Sequence, residues 1–350
     1  MPNTTTQILR PGVYAPVLTP FKENGSEVAD LSAFASSVSR LGSAGVGVLI
    51  GGTLGEGPLL ERNERIALIN CAKNALETLG HEQRVPIMAG LTGASVRECV
   101  AQAKDAASAG ADAVIAVAPA YFAFVYGKDK ATVKNFFTSI ADESPLPLLI
   151  YNVKCTTKHP SDESSEADIP KIPFAAGGID LDAQTLIDLS EHQNIAGVKL
   201  TCYNIAKGHR VAIHVGTPEY QERHPLPFLV LPGSTDYLLP ALVGRQHGCI
   251  GGPANLYPKT CVKIYSTATE AMETGNFELL RKAQEMQDLV TEADSVINKV
   301  GFLGIKTAMS IFVDEKFGGG FRRPLSSPSD VVAEQLRTGL AKVFEFEKSL

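Results

Sequence analysis

Eight short, β-rich apolar runs alternate with helix-period stretches along most of this chain, and that alternation restricts the fold more than any other feature. The strand candidates are Val13–Leu18, Val46–Ile50, Val85–Ala89, Ala113–Val117, Leu146–Tyr151, Ile195–Lys199, Phe228–Leu231 and Gly248–Gly251. Between them lie Leu31–Leu41, Asn63–Leu79, Ser95–Ala109, Lys130–Ala141, Asp182–Ser190, a stretch after Tyr203, and Asp236–Arg245. Strands that alternate with helices build parallel βαβ units. No Gly-x-Gly-x-x-Gly follows the first strand, so eight such units favour a closed (β/α)8 TIM barrel over a doubly wound sheet. The barrel is expected to end near Tyr257, giving a domain over 1–257. Residues 258–350 read as a C-terminal helical extension, including Asn276–Asn298, Phe302–Val313 and Asp330–Lys348, packed on the barrel or on a neighbouring subunit.

The 350 residues are 44% hydrophobic and 20% charged, the balance of a soluble globular protein with a sizeable core. A net charge of −6 argues against nucleic acid or a membrane surface as the main partner. No stretch approaches the ~20 apolar residues of a membrane span. Met1 to Arg10 are polar, without an apolar signal core, and carry a single arginine. The expected location is therefore cytoplasmic. Cys71, Cys99, Cys155, Cys202, Cys249 and Cys261 contain no Cys-x-x-Cys pair and read as reduced, mostly buried thiols.

One segment breaks the pattern. Lys154–Ile172 is polar and charged, with two prolines, and interrupts the fifth unit. Loops of this length are usually functional or disordered. A mobile insertion, translated non-coding sequence and a lid over the barrel mouth all remain open.

Three features fall where barrel strands end, the edge at which barrel enzymes work. Lys199 closes the apolar run Ile195–Lys199. Keeping a charge at the inner end of such a strand costs several kcal/mol, so the pKa of such a lysine tends to fall. A neutral amine attacks carbonyl carbon, the first step of Schiff-base chemistry. The bland alternative is a strand-end lysine reaching for water. Gly51–Gly57 (GGTLGEG) follows the second strand. Its glycines let backbone N–H groups turn toward a small anion, with a helix start behind them, although a tight turn without ligand has the same composition. Tyr151-Asn152 ends the fifth strand. A phenol hydrogen-bonded to a hydroxyl such as Thr53 can relay a proton, or the ring can simply pack at the barrel mouth. An amine, a phenol and an anion cradle on one rim suit a 2-oxo acid. The seven histidines show no His-Glu-x-x-His spacing, so no metal site is expected.

Together with these residues, a series of short motifs runs in order along nearly the whole chain. They are Val17–Phe21 (VLTPF), Gly52–Glu56 (GTLGE), Ala89-Gly90, Ala109–Asp112, Pro119–Tyr121, Tyr151-Asn152, Gly197–Lys199, Gly233-Ser234 and Gly251–Asn255 (GGPAN). The chain thereby resembles the dihydrodipicolinate synthase/N-acetylneuraminate lyase superfamily of class I aldolases. That resemblance implies that Lys199 forms the Schiff base and that Tyr151 is the general acid/base. It implies that Thr53 belongs to the proton relay and that Tyr121 is a relay tyrosine inserted by a neighbouring subunit. Gly52, Thr53 and Leu54 would hold the substrate carboxylate through backbone groups. It also implies a homotetramer built from dimers and no cofactor beyond the lysine imine.

Departures from the family pattern narrow the choice. Leu54 stands where the synthases carry a second hydroxyl residue. No arginine occurs from Asn152 to His209, where the synthases grip the carboxylate of aspartate semialdehyde. A buried carboxylate without a charged partner is costly, which disfavours that condensation, although Lys154 or Lys158 could substitute. The usual proline after Tyr-Asn is displaced to Pro173. Gly177–Asp182 (GGIDLD) and Lys199–Asn204 (KLTCYN) resemble the fungal branch, the 4-hydroxy-2-oxoglutarate and 2-keto-3-deoxy-sugar-acid aldolases. Such enzymes cleave a 4-hydroxy-2-oxo acid, for example L-threo-3-deoxy-hexulosonate, into pyruvate and an aldehyde. Thr201, Tyr203, Ser234 and Thr235 are the candidate partners of a hydroxylated tail. The expected partners are thus a small 2-oxo acid and an aldehyde. A synthase condensing pyruvate with aspartate semialdehyde and a catalytically silent barrel are the alternatives. The sequence does not name the aldehyde or the physiological direction.

Overall fold

The architecture comes from a computed structural model that describes residues 9–23, 25–80, 84–153 and 179–350. The strands are β1 (Gly12–Pro16), β2 (Gly47–Ile50), β3 (Ile87–Leu91), β4 (Ala113–Val117), β5 (Leu148–Val153), β6 (Ile195–Thr201), β7 (Leu229–Pro232) and β8 (Gly248–Ile250). All pair in parallel, in the order β7-β6-β5-β4-β3-β2-β1-β8. The ends of this sheet meet through His247. Its N–H donates to Val230 O at 2.9 Å, and its Nδ1 accepts the Val230 N–H at 3.0 Å. Burial lowers the His247 pKa, which favours the neutral ring that this acceptor role requires. The result is a (β/α)8 barrel.

The helices around it are α1 (Leu31–Ser43), α2 (Arg62–Glu77), α3 (Val96–Ala109), α4 (Ala123–Tyr126), α5 (Lys130–Glu143), α6 (Ala183–Ser190), α7 (Ile205–Val215), α8 (Pro218–Arg223), α9 (Leu238–Val243) and α10 (Pro258–Thr274). Several of them start on side-chain caps that the sequence supplies. Asp30 accepts the N–H of Ser32 and Ala33, and Ser95 accepts that of Glu98. Asp182 accepts the N–H of Thr185. These bonds satisfy donors that a helix start leaves orphaned. Then follow α11 (Phe277–Val300), α12 (Phe302–Phe312) and α13 (Asp330–Ser349).

Strand alternation sorts the core into two layers. Tyr14, Leu49, Met88, Ile115, Leu149 and Leu231 fill the barrel interior. Their strand neighbours Val13, Val48, Ala89, Val114, Ile150 and Val230 face the helices. The same alternation turns Tyr151 and Lys199 inward. Both strands also run further than their apolar patterns suggest: pairing continues through Asn152↔Leu200 and Val153↔Thr201. Lys199 is therefore two residues inside β6, because an inward lysine does not interrupt main-chain pairing.

Helix α11 is fastened to the β7–α9 connection. Gln287 accepts the Leu239 N–H at 2.8 Å and donates to Thr235 O at 3.0 Å. Asp294, fully buried on the same helix, accepts hydrogen bonds from the Thr235 and Tyr257 hydroxyls. The insertion expected at 154–172, with Lys154, Lys158, Cys155 and Pro173, lies outside the described residues. Among the described residues no helix is long and apolar enough to cross a membrane. The five described cysteines are free, and all but Cys71 are buried.

Candidate active site

Leaving β2, the chain turns sharply at Gly51, whose φ of 66° is left-handed. The turn is closed by Glu56 N–H to Thr53 O at 3.1 Å and Gly57 N–H to Gly52 O at 3.0 Å. Thr19 Oγ1 donates to Gly55 O at 2.7 Å and ties the loop to the end of β1. Among the described residues, the N–H groups of Thr53 and Leu54 have no hydrogen-bond acceptor. Two unpaired donors on a fixed turn form the kind of concavity that takes an anion. The expected helix start does not directly follow: only a short 3-10 turn, Gly57–Leu59, intervenes before α2 begins at Arg62. The helix-like pattern begins too late for its dipole to reach the cradle, so backbone donors carry the electrostatics here.

Opposite this loop, Tyr151 of β5 and Lys199 of β6 are partners in register. Lys199 is buried, and its Nζ stands 4.3 Å from the centroid of the Tyr151 ring. Behind Tyr151, Asn152 is fixed by its own bonds. It donates to Asp180 at 2.8 Å and accepts the Leu181 N–H at 2.8 Å.

A cavity of about 260 Å³ opens between these groups. It is smaller than the ~300–1,000 Å³ typical of drug-sized ligands, so its size suits a small metabolite. Its polar side holds Thr53, Thr201, Tyr203, Ser234 and Asn298. Leu54, Ile297, Phe302 and Ile305 form an apolar side. Lys199 is the one charged side chain among the described lining residues. Thr201 Oγ1 is buried without a hydrogen-bond partner among the described residues. A buried hydroxyl left unpaired is costly and marks a place for a ligand's polar group.

Tyr203 reaches the cavity from an unusual backbone, with φ of 52°. Half of its surface is exposed and its ring lies 5.6 Å from that of Tyr237. Its hydroxyl end bonds to Ser234, and burial pushes its pKa up to about 12, with the nearby Asp236 charge acting in the same direction. Asp236 is itself pushed up by burial, opposed by bonds to Ser234 and Asn298.

The structure thus brings together Lys199, Tyr151, Thr53, Leu54, Thr201 and Ser234. Gly52 lies directly behind, as the carbonyl that closes the turn. Among the described residues no hydrogen bond joins Thr53 to Tyr151. Thr235 points away from the cavity, toward Asp294. Tyr121 does not line the cavity: it is 80% exposed, stacked edge-on against Phe122 at 5.0 Å. The sequence reading missed Ile297, Asn298, Phe302 and Ile305, because a helical pattern does not reveal which surface its apolar stripe covers. Among the described residues there is no group of three or more His, Cys, Asp or Glu side chains able to hold a metal ion.

The chain is similar over nearly its whole length to known proteins. The profile of the dihydrodipicolinate synthetase family matches residues 10–160 and 165–343. An Aspergillus niger protein named "L-threo-3-deoxy-hexylosonate aldolase" is 34% identical, covering 98% of this chain and 97% of its own. An Emericella nidulans protein named "Probable 4-hydroxy-2-oxoglutarate aldolase, mitochondrial" is 33% identical, covering 98% of this chain and 97% of its own. The crystal structure of a dihydrodipicolinate synthase family protein from Coccidioides immitis superposes with a TM-score of 0.77 at 29% identity, covering 98% of this chain and 99% of its own. With the family profile spanning almost the whole barrel and its C-terminal helices, the chain belongs to the dihydrodipicolinate synthetase family.

Proposed function

We propose that this protein is a class I aldolase that cleaves a 4-hydroxy-2-oxo acid to pyruvate and an aldehyde. The observation that carries the reading is the buried Lys199 amine facing the Tyr151 ring within one cavity. The Lys199 amine adds to the C2 carbonyl, and the carbinolamine loses water to give an imine. Tyr151 removes the proton of the C4 hydroxyl. The electrons of the C3–C4 bond then flow into the protonated imine, and the aldehyde leaves. The resulting enamine takes a proton at C3, and water hydrolyses the imine to release pyruvate and the free amine. The imine is the electron sink, so these steps need no cofactor. Tyr151 serves as acid and base by turns, with Thr53 and a neighbouring subunit's copy of Tyr121 as its relay. The free N–H groups of Thr53 and Leu54, backed by Gly52, bind the C1 carboxylate.

The aldehyde end favours a 2-keto-3-deoxy sugar acid over 4-hydroxy-2-oxoglutarate. A second carboxylate would be buried without a cationic partner among the described lining residues, which is costly. Hydroxyl groups instead meet Thr201, Ser234 and Tyr203. The same lack of a second cation speaks against condensation with aspartate semialdehyde. Pyruvate release from L-threo-3-deoxy-hexulosonate and from 4-hydroxy-2-oxoglutarate, followed in parallel, tests this order. The expected kcat/KM is at least about tenfold higher for the sugar acid, a difference of ~1.4 kcal/mol in transition-state binding. Equal or reversed values would overturn it.

The aromatic group around Tyr121 supports assembly into a homotetramer, since contiguous exposed apolar side chains mark contact surfaces. We place the enzyme in the cytoplasm. Imaging of the tagged full-length chain separates that location from the mitochondrion named for the Emericella nidulans relative.

A further inference from the structure

Glu56 ends the cradle turn in a conformation that suits glycine: its φ is 55°. It is also buried, and its carboxylate is fully engaged. Oε1 accepts from Lys306 Nζ of α12 at 2.7 Å, and Oε2 accepts the Arg322 N–H at 2.9 Å. Side-chain exposure is 1% for Lys306 and 0% for Glu56, so neither charge has water as an alternative partner. The Lys306 ammonium is further enclosed by the rings of Phe21 at 4.3 Å and Phe321 at 4.7 Å. Burial draws its pKa down, and the Glu56 carboxylate opposes that. A strained backbone and two desolvated charges at one point are expensive features, and they persist only where surrounding structure enforces them.

Their placement indicates what they serve. Glu56 is three residues from Thr53, and its N–H closes the turn onto Thr53 O. Lys306 follows Ile305, which forms the cavity wall and meets Leu54 across Gly252. One ion pair therefore connects the anion cradle to the helix that supplies the adjoining apolar wall.

We propose that the Lys306–Glu56 pair is a positioning device that holds the Gly51–Gly57 turn rigid and presents the Thr53 and Leu54 N–H groups to a substrate carboxylate. Neither residue touches the substrate. The identity of that carboxylate rests on the aldolase reading, whereas the rigidity of the turn does not.

The test compares wild type with Lys306→Met, Glu56→Gln and the double variant. Each single change strands one buried charge and can cost the fold. The double change removes both charges and keeps the protein testable. Two readouts are taken on folded protein: amide hydrogen exchange of the peptide covering residues 51–60, and the pyruvate concentration that half-saturates borohydride trapping on Lys199. In the double variant, the peptide should exchange about tenfold or more faster, and half-saturation should rise about tenfold. The adduct formed at saturating pyruvate should stay within about threefold of wild type, because Lys199 itself is undisturbed. A double variant with wild-type exchange and wild-type half-saturation would overturn the proposal and leave the pair a purely structural contact. If wild type forms no adduct, the aldolase reading fails by itself, and the exchange rate still decides whether the pair holds the turn.

Discussion

Lys199 and Tyr151 occupy the same register position on adjacent parallel strands, both turned into the barrel, with the amine 4.3 Å from the ring centroid. Pairing on two strands fixes this relationship more firmly than loops could, since the main-chain ladder continues for two residues beyond it. Any electrophile that reaches the amine is therefore also beside the phenol. This proximity is the main geometric requirement for imine chemistry coupled to proton transfer.

Tyr151→Phe keeps the ring beside Lys199 and removes the proton-transfer group. Its kcat should fall by roughly 10²–10⁴-fold, the usual contribution of general acid–base catalysis. Pyruvate should still be trapped on Lys199 on prolonged incubation. Steady-state kinetics with adduct mass spectrometry reads both, and wild-type turnover would remove Tyr151 from the mechanism.

Gly90→Ala tests the support beneath the cradle. A β-carbon at Gly90 would lie 2.8 Å from the carbonyl carbon of Gly51 and 3.1 Å from the Gly52 nitrogen, both rigid backbone. Overpacking of this kind costs about 1–3 kcal/mol. Urea melts should show that loss, and KM should rise with it. Unchanged stability would mean that the turn yields more easily than its contacts suggest.

The eight-strand alternation made the barrel legible, because buried parallel strands leave short apolar runs that helices punctuate. Lys199 and Tyr151 stood out as polar groups ending such runs, but the runs left their direction open, since Asn152 beside Tyr151 turns instead to Asp180 and Leu181. The wall from α11 and α12 was not legible, since an amphipathic helix shows that it packs but not where. Lys306 carried the same signal as Lys199, a lysine inside an apolar run (Gly304–Met309), yet its partner Glu56 is 250 residues away in sequence. Asp294 likewise gives no sign in sequence of the hydroxyls that enclose it.

Asp294 makes stability depend on pH. Burial raises its pKa from 3.8 to about 7, against the lowering effect of the Thr235 and Tyr257 bonds. Between these values the folded protein holds a proton that the unfolded chain has released. The group's contribution is therefore full below about 3.8, declines as pH rises, and is gone above about 7. Asp294→Asn removes the titration. From about pH 4 to about pH 8, its unfolding free energy should gain on wild type by on the order of 4 kcal/mol. Denaturant melts at each pH check this, and parallel curves would count against it.

Phe124 is 84% exposed and lies within 6.4 Å, centroid to centroid, of Phe122 in the aromatic group beside Tyr121. Phe124→Asp should split the proposed homotetramer in sedimentation velocity and lower activity, because a charge would disrupt an apolar contact formed there. A wild-type tetramer would place the interface elsewhere, and a monomeric, fully active wild type would refute the inserted Tyr121.

The most direct measurement is borohydride trapping with pyruvate on wild type and Lys199→Ala, followed by peptide mass spectrometry. A reduced pyruvyl adduct on the Lys199 peptide, absent from the variant, is the expected result. Folded wild-type protein that forms no adduct, or forms it equally in the variant, would contradict imine catalysis at Lys199.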